Sequence, residues 1–378
     1  MSNPSGRSPL LISAFAALAA GAFAQHTALV DLPDSIAAPG TQVVWVKKVP
    51  RYCEGPATDI STGTVYWSEQ REGNNPEWPI WKINPNTPSD TGTRWIMNSN
   101  QTNGLFVDYQ GRVIAAQKGK IVRYAKTGAV DTVLATSGSG ATFNQANDLS
   151  VGRNGAIYFT DLGSQVFYLS PSGQLKVAAS GLSGANGVEW IEEENAVYVL
   201  EANGGKITRM DAGADGTLTN PKLFHSVNIP DGADLDSHGN WYVGSYGDGA
   251  VYVLNAKGER IGKITFNMEN GQYNPSGGPN GNIDNCHFGD ADNKTLYCTG
   301  DGGLYSIKLK IPGRAWPAAT EAPTGLVPAP IKSGGKTGSA AYRPDGRFWS
   351  DGPEGAAKAG DAGPARKPAP RLPLLEIR

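Results

Sequence analysis

Six polar residues recur along the chain, each ahead of a short apolar run: Glu54, Asn103, Asn147, Asn186, Asp231 and Asn285. Two are carboxylates and four are carboxamides, so every one offers oxygen and none offers sulfur or an imidazole nitrogen. An oxygen-only donor set suits a hard divalent cation. Asn-Gly and Asp-Gly pairs are also turn formers, which accounts for single instances. Turn chemistry does not account for six polar residues in one phase, or for Glu54-Gly-Pro at the head of the series.

Such residues can meet only if the chain brings them to one level, and the repeat around them supplies the means. Each leads a unit that continues into a turn and a strand rich in Tyr and Val. Examples are Asn147-Asp-Leu-Ser-Val-Gly152 with Gly155-Ala-Ile-Tyr158, and Asp231-Gly-Ala-Asp-Leu-Asp236 with Gly239-Asn-Trp-Tyr242. The leaders lie 49, 44, 39, 45 and 54 residues apart, and each unit adds a second hairpin such as Gly249-Ala-Val-Tyr-Val-Leu254. Four strands per period of about 40–50 residues describe a propeller blade. The expected fold is all-β, a six-bladed β-propeller with four-stranded antiparallel blades. A ring of blades must hide its edges. The last unit is one strand short, so Thr41–Val49 is expected to close the ring as an N-terminal strand. The six leaders then stand together at one mouth of the central channel.

The remaining organisation follows from composition. Arg7, the apolar run Leu10–Ala24 and the Ala22-Phe23-Ala24 site read as a signal peptide over 1–24. The run is too short to span a bilayer comfortably, and no other stretch reads as transmembrane. The chain is therefore expected to be exported, periplasmic or secreted, with a lead-in at 25–40 and the propeller at 41–312. The Pro-, Ala- and Gly-rich tail, 313–378, is expected to be disordered. A formal net charge of -2 gives no basic footprint, so nucleic acid is not an expected partner.

Glu54-Gly-Pro, Asn147-Asp, Asn186-Gly and Pro230-Asp231-Gly-x-x-x-Asp236 occur in an order and spacing that resemble the gluconolactonase/regucalcin-like family. The resemblance covers roughly residues 41–310. It implies metal ligands at Glu54, Asn147, Asn186 and Asp231, with Asn103 and Asn285 left on the ring as substrate or water contacts. Ca²⁺ is the expected metal, with Mg²⁺, Mn²⁺ and Zn²⁺ as alternatives. The resemblance also implies a second metal position at Asp234 and His287; a core histidine is the other reading of His287. One departure stands out: Gln145-Ala146 occupy the place where the regucalcin branch has an arginine, which weakens any assignment to sugar lactones.

The activity implied is hydrolysis of a small lactone or ester. The metal would polarise the carbonyl, and Asp231 would act as general base toward water. A phosphotriesterase-type hydrolase and a non-catalytic, calcium-braced binding propeller are the alternatives. A strictosidine-synthase-like enzyme is disfavoured by the presence of both Glu54 and Asp231. No G-x-S-x-G elbow supports a serine hydrolase. Substrate-facing loops are expected at Ser68–Pro79 and Asn267–Ile283, with Trp78 and Tyr246 as pocket walls or, equally, as packing residues. Cys286 and Cys298 face each other if the hairpin turns at Ala291–Asn293, so they form either a disulfide or two buried thiols.

Overall fold

A computed structural model describes residues 29–70, 78–266, 282–315, 340–342 and 348–350. The expected signal peptide, much of the two long loops and most of the tail lie outside the described residues.

The described chain is built from antiparallel sheets. One holds Leu105–Val107, Val113–Gln117, Lys120–Tyr124 and Val130–Thr136 in that order. The next holds Ala146–Val151, Ile157–Asp161, Gln165–Leu169 and Leu175–Ala179, and a third Ala185–Ile191, Ala196–Glu201, Lys206–Ala212 and Leu218–Ser226. A fourth runs from Pro230–Leu235 through Trp241–Ser245 and Ala250–Leu254 to Arg260–Thr265. Leu29–Asp31, from the lead-in, adds a fifth strand beside Arg260–Thr265.

The remaining sheet departs from expectation. Ile283–Gly289, Thr295–Lys308, Val43–Asp59, Thr64–Glu69, Ile80–Ile83 and Thr93–Ile96 form one six-stranded sheet. Five sheets of four or more strands therefore replace the six separate blades expected. The cause is a strand that does not stop: Val43–Asp59 pairs first with Asp301–Ile307 and then, from Cys53, with Thr64–Glu69. In the tail, Ala340–Tyr342 pairs with Phe348–Ser350.

The strand that leads each unit runs along the centre. These inner strands touch in cyclic order: Val43–Asp59, Leu105–Val107, Ala146–Val151, Ala185–Ile191, Pro230–Leu235, Ile283–Gly289 and back to the first. Apolar side chains from neighbouring sheets fill the seams. Tyr158 meets Trp190 edge-on at 4.9 Å between centroids, and Tyr242 meets Phe288 at 5.0 Å. Such pairs contribute about 0.5–1.5 kcal/mol beyond their buried area.

After each inner strand the chain reverses through a turn with a left-handed residue before the second strand. Gly63, Gly111, Gly155, Asn195, Gly239 and Asn293 all have positive φ there, which favours Gly and tolerates Asn. The Asp that closes several units is a turn residue: Asp236 Oδ1 accepts from the backbone N–H of His238 (2.9 Å) and Asn240 (3.0 Å). Among the described residues no helix is long and apolar enough to cross a membrane.

Candidate functional site

Backbone irregularities aim the leaders. In five units the pairing between inner and second strand slips at the leader: between Glu54 and Ala57, Ala146 and Leu149, Ala185 and Val188, Pro230 and Ala233, and Ile283 and Asn285. A bulge re-aims the side chain beside it and recurs next to functional sites. Asn103 instead sits just before its strand, with its N–H on Ala116 O at 2.9 Å.

The glycine after a leader lets the next leader come close. A β-carbon at Gly55 would stand 2.5 Å from Asn103 O, and one at Gly104 would stand 2.7 Å from Asn147 O. At Gly187 it would run into Asp231 O, and at Gly232 into the Asn285 carboxamide. Hydroxyls pin the same seams. Ser68 Oγ donates to Asn103 O at 2.8 Å, and Thr160 Oγ1 donates to Asn186 O while accepting from Asp148 N at 3.1 Å. All six leaders are buried, and each sits against its neighbour around the channel.

The result is a concentration of buried negative charge. Burial raises the Glu54 carboxyl well above its ordinary range, and the carboxylates of Asp231 and Asp148 raise it further. Tyr52 OH donates to Glu54 Oε1 at 3.1 Å, and Gly55 N donates to Oε2 at 3.2 Å. Asp231 is raised by burial and then by Asp148, against a hydrogen bond from Asn186. Asp148 is pushed up to about 6 by burial, although backbone N–H groups and Asn285 pull it down. Asp284 is raised by burial, Glu54, Asp231 and Asp301.

Two oxygens in this cluster are sealed and unpartnered among the described residues: Asn186 Oδ1 and Asp231 Oδ2. Leaving such atoms without a partner costs about 1–3 kcal/mol each, and more for charged groups. A hard cation at the ring would relieve that cost, so the donor set fits one. No three His, Cys, Asp or Glu side chains among the described residues gather closely enough to hold an ion by themselves. The carboxamides of Asn147 and Asn186 must complete any such site.

The other expected residues divide. Asn285 is committed, since its Oδ1 accepts from Cys286 N at 2.8 Å and its amide serves Asp148. Tyr246 is buried and meets Tyr52 edge-on at 6.0 Å, so it reaches Glu54 through Tyr52. Trp78 is buried, with its indole N–H unpartnered among the described residues, and its carbonyl accepts from Ser99 N at 3.0 Å.

Two pairs that the sequence left open have definite surroundings. Asp234 and His287 do meet, with Nδ1 to Oδ2 at 3.2 Å. Both Asp234 oxygens, however, already accept backbone N–H groups, from Leu235 at 2.7 Å and Phe288 at 2.8 Å. No third acid, His or Cys side chain among the described residues gathers with this pair to hold an ion. Cys286 and Cys298 face each other in register but are free, and the Cys286 thiol donates to Tyr242 O at 2.9 Å.

Three residues escaped the sequence reading: Tyr52, Asp148 and Asp284. The signal for the two acids was their place beside Asn147 and Asn285. The second-strand ends also hold the entry loops. Asp161 accepts from the N–H groups of Asn144 and Gln145, both at 2.9 Å, and Glu201 accepts from Ser183 N at 2.7 Å. These bonds fix the loops that enter Asn147 and Asn186.

The family described as SMP-30/Gluconolactonase/LRE-like region matches residues 52–301, which takes in every leader and more than half of the chain. The chain belongs to this family. A gluconolactonase of Zymomonas mobilis is 26% identical over 239 residues, covering 55% of this chain and 63% of that relative. The chain thus spans less than two thirds of the length of that curated relative. Two solved structures share the fold. One is a gluconolactonase from Xanthomonas campestris, with TM-score 0.61, 23% identity, and coverage of 74% of this chain and 95% of that one. The other is a calcium-binding protein, regucalcin, from Agrobacterium tumefaciens, with TM-score 0.57, 16% identity, and coverage of 71% and 94%.

Proposed function

We propose that this family member hydrolyses a small lactone, using a divalent metal, Ca²⁺ foremost, held by Glu54, Asn147, Asn186 and Asp231. The observation that carries the reading is the pair of sealed, unpartnered oxygens, Asn186 Oδ1 and Asp231 Oδ2, amid buried carboxylates. The names of the gluconolactonase relative and structure support the substrate class. The metal would supply Lewis acidity toward the lactone carbonyl.

The chain's own groups do the rest. Tyr52 and Gly55 N–H hold the Glu54 carboxylate from both oxygens. Asp231 takes the proton of the attacking water. Asn103 borders the ring and contacts substrate, while Asn285 steadies Asp148. Tyr246, packed on Tyr52, and Trp78 wall the pocket.

The reading treats the six-stranded sheet as the first and last units of a six-fold ring, with Val43–Val49 as the closing strand. The switch of partners along Val43–Asp59 supports this. So does a separate apolar seam joining Val49 and Leu304 to Val65 and Trp67. Export remains part of the proposal, tested by the N-terminal sequence of the mature chain.

The deciding assay is a panel of aldonolactones beside a phosphotriester, with and without chelator. Chelator-sensitive lactone turnover is expected. Phosphotriester turnover alone would favour the phosphotriesterase alternative. Calcium binding without any turnover would leave a binding propeller.

A further inference from the structure

The loop that enters Asn103 holds two successive non-glycine residues in the left-handed region, Asn100 at φ 55° and Gln101 at φ 58°. Asn tolerates this backbone through its short polar side chain, whereas Gln has no such relief. Strained conformations of this kind persist only where the surroundings over-determine them, and they gather at ligand sites.

Three successive units hold this loop in place. From the first unit, Trp78 O accepts from Ser99 N at 3.0 Å. Within its own unit, Asn100 O accepts from Lys118 N at 3.2 Å, and Asn100 Nδ2 donates to Lys118 O at 2.9 Å. From the next, Gln145 Nε2 donates to Gln101 O at 2.9 Å, and Gln145 N is itself held by Asp161. Thr102 Oγ1 donates to Ser99 O at 2.8 Å and accepts from Gln117 Nε2 at 3.1 Å.

One group is left out of this net. Gln101 is only 6% exposed, yet its carboxamide makes no hydrogen bond among the described residues. Burying an amide without a partner is unfavourable, and an apolar side chain of the same shape would avoid that cost. The chain therefore keeps both backbone strain and an unpaired amide two residues ahead of the ring residue Asn103. The buried space around that amide lies among the entry loops that surround the channel mouth.

A carboxamide is neutral and offers donors and an acceptor together. A hydroxyl group, which also donates and accepts, is its natural partner; a bare alkyl chain is not. We propose that Gln101 is a specificity-determining residue whose carboxamide takes a hydroxyl of the bound molecule, so that the site prefers a hydroxylated lactone to an unsubstituted one. This deepens the lactone hydrolase reading and rests on it for the substrate class. The role of Gln101 is recognition, and no step of the hydrolysis passes through it.

Calcium-loaded wild type, Gln101→Met and Gln101→Gly are compared on δ-gluconolactone and on δ-valerolactone, the same ring without hydroxyls. Met keeps the length and removes the amide; Gly removes the side chain and suits the positive φ. Both variants are expected to raise KM for δ-gluconolactone about tenfold, the worth of one hydrogen bond, with kcat and δ-valerolactone kinetics within about twofold of wild type. Gln101→Gly is also expected to melt no lower than wild type, which a structural role for the side chain would not allow. Equal losses on both lactones, an unchanged KM for δ-gluconolactone, or a Gln101→Gly variant that fails to fold would each overturn the proposal. If Gln101→Met alone fails to fold, Gln101→Gly decides. Should wild type turn over neither lactone, the hydrolase reading fails, and calorimetric binding of sorbitol, a neutral polyol, decides for Gln101. Binding about tenfold weaker in the variants is expected; equal binding, or none in wild type, would overturn the proposal.

Discussion

Gly187 lies against the backbone carbonyl of Asp231, so close that no β-carbon can be placed there. The contact is what allows the Asp231 leader to stand beside Asn186. Gly187→Ala must therefore move one inner strand against the next. It is expected to destabilise the fold by about 3 kcal/mol, the upper range for overpacking against backbone, and to weaken metal binding as well. Gly163→Ala is the control, since nothing lies within 4 Å of a β-carbon there and its φ is not positive. Denaturant unfolding of both variants, with equal loss in the two, would contradict the account.

Asp231→Asn keeps an oxygen at the leader position and removes the proton acceptor. Turnover of a responsive lactone is expected to fall roughly 10²–10⁴-fold, the usual share of a positioned acid–base group. Most of the bound metal should remain. Full activity in this variant would remove Asp231 from the role of base.

The carboxyls of Glu54, Asp231 and Asp284 are raised by burial among like charges, and Asp148 and Asp301 are pushed up to about 6. Carboxyls in the unfolded chain titrate near about 4. Between those values the folded state holds more protons than the unfolded one, so stability is greatest in mild acid and falls as pH rises. Metal-free protein should thus melt at a higher temperature at pH 5 than at pH 8. Added calcium competes with the protons and should restore stability mainly at the higher pH. A metal-free melting temperature that climbs from pH 5 to pH 8 would count against the cluster.

The three cysteines, Cys53, Cys286 and Cys298, are free and buried, and burial raises each thiol. A thiol reagent should find none in the native protein and three after denaturation. One reactive thiol after denaturation would mean that Cys286 and Cys298 are bridged.

The leaders and the turns after them were legible because each carries a local chemical requirement: a polar tip, then a residue tolerant of positive φ. The merging of two units was not legible, because a strand that runs on needs no punctuation. Pro50, which looks like a break, falls in the register shift between Lys48 and Tyr52, where its missing N–H does no harm. Asp148 was overlooked because strict alternation turns it away from Asn147. The bulge between Ala146 and Leu149 relaxes that alternation and leaves both near the channel. Register left Cys286 and Cys298 open between a bridge and two thiols, and they are free. Leu29–Asp31 is too short to announce itself, and its place comes from the open edge at Arg260–Thr265.

The central claim is that the leaders share one cation on which hydrolysis depends. Its most direct test is to strip the protein of metal, return calcium in counted fractions of an equivalent, and follow aldonolactone turnover at each step. The account predicts no turnover at zero metal, a proportional rise, and a plateau once the ring is filled. Undiminished turnover in protein shown to contain no metal would contradict it.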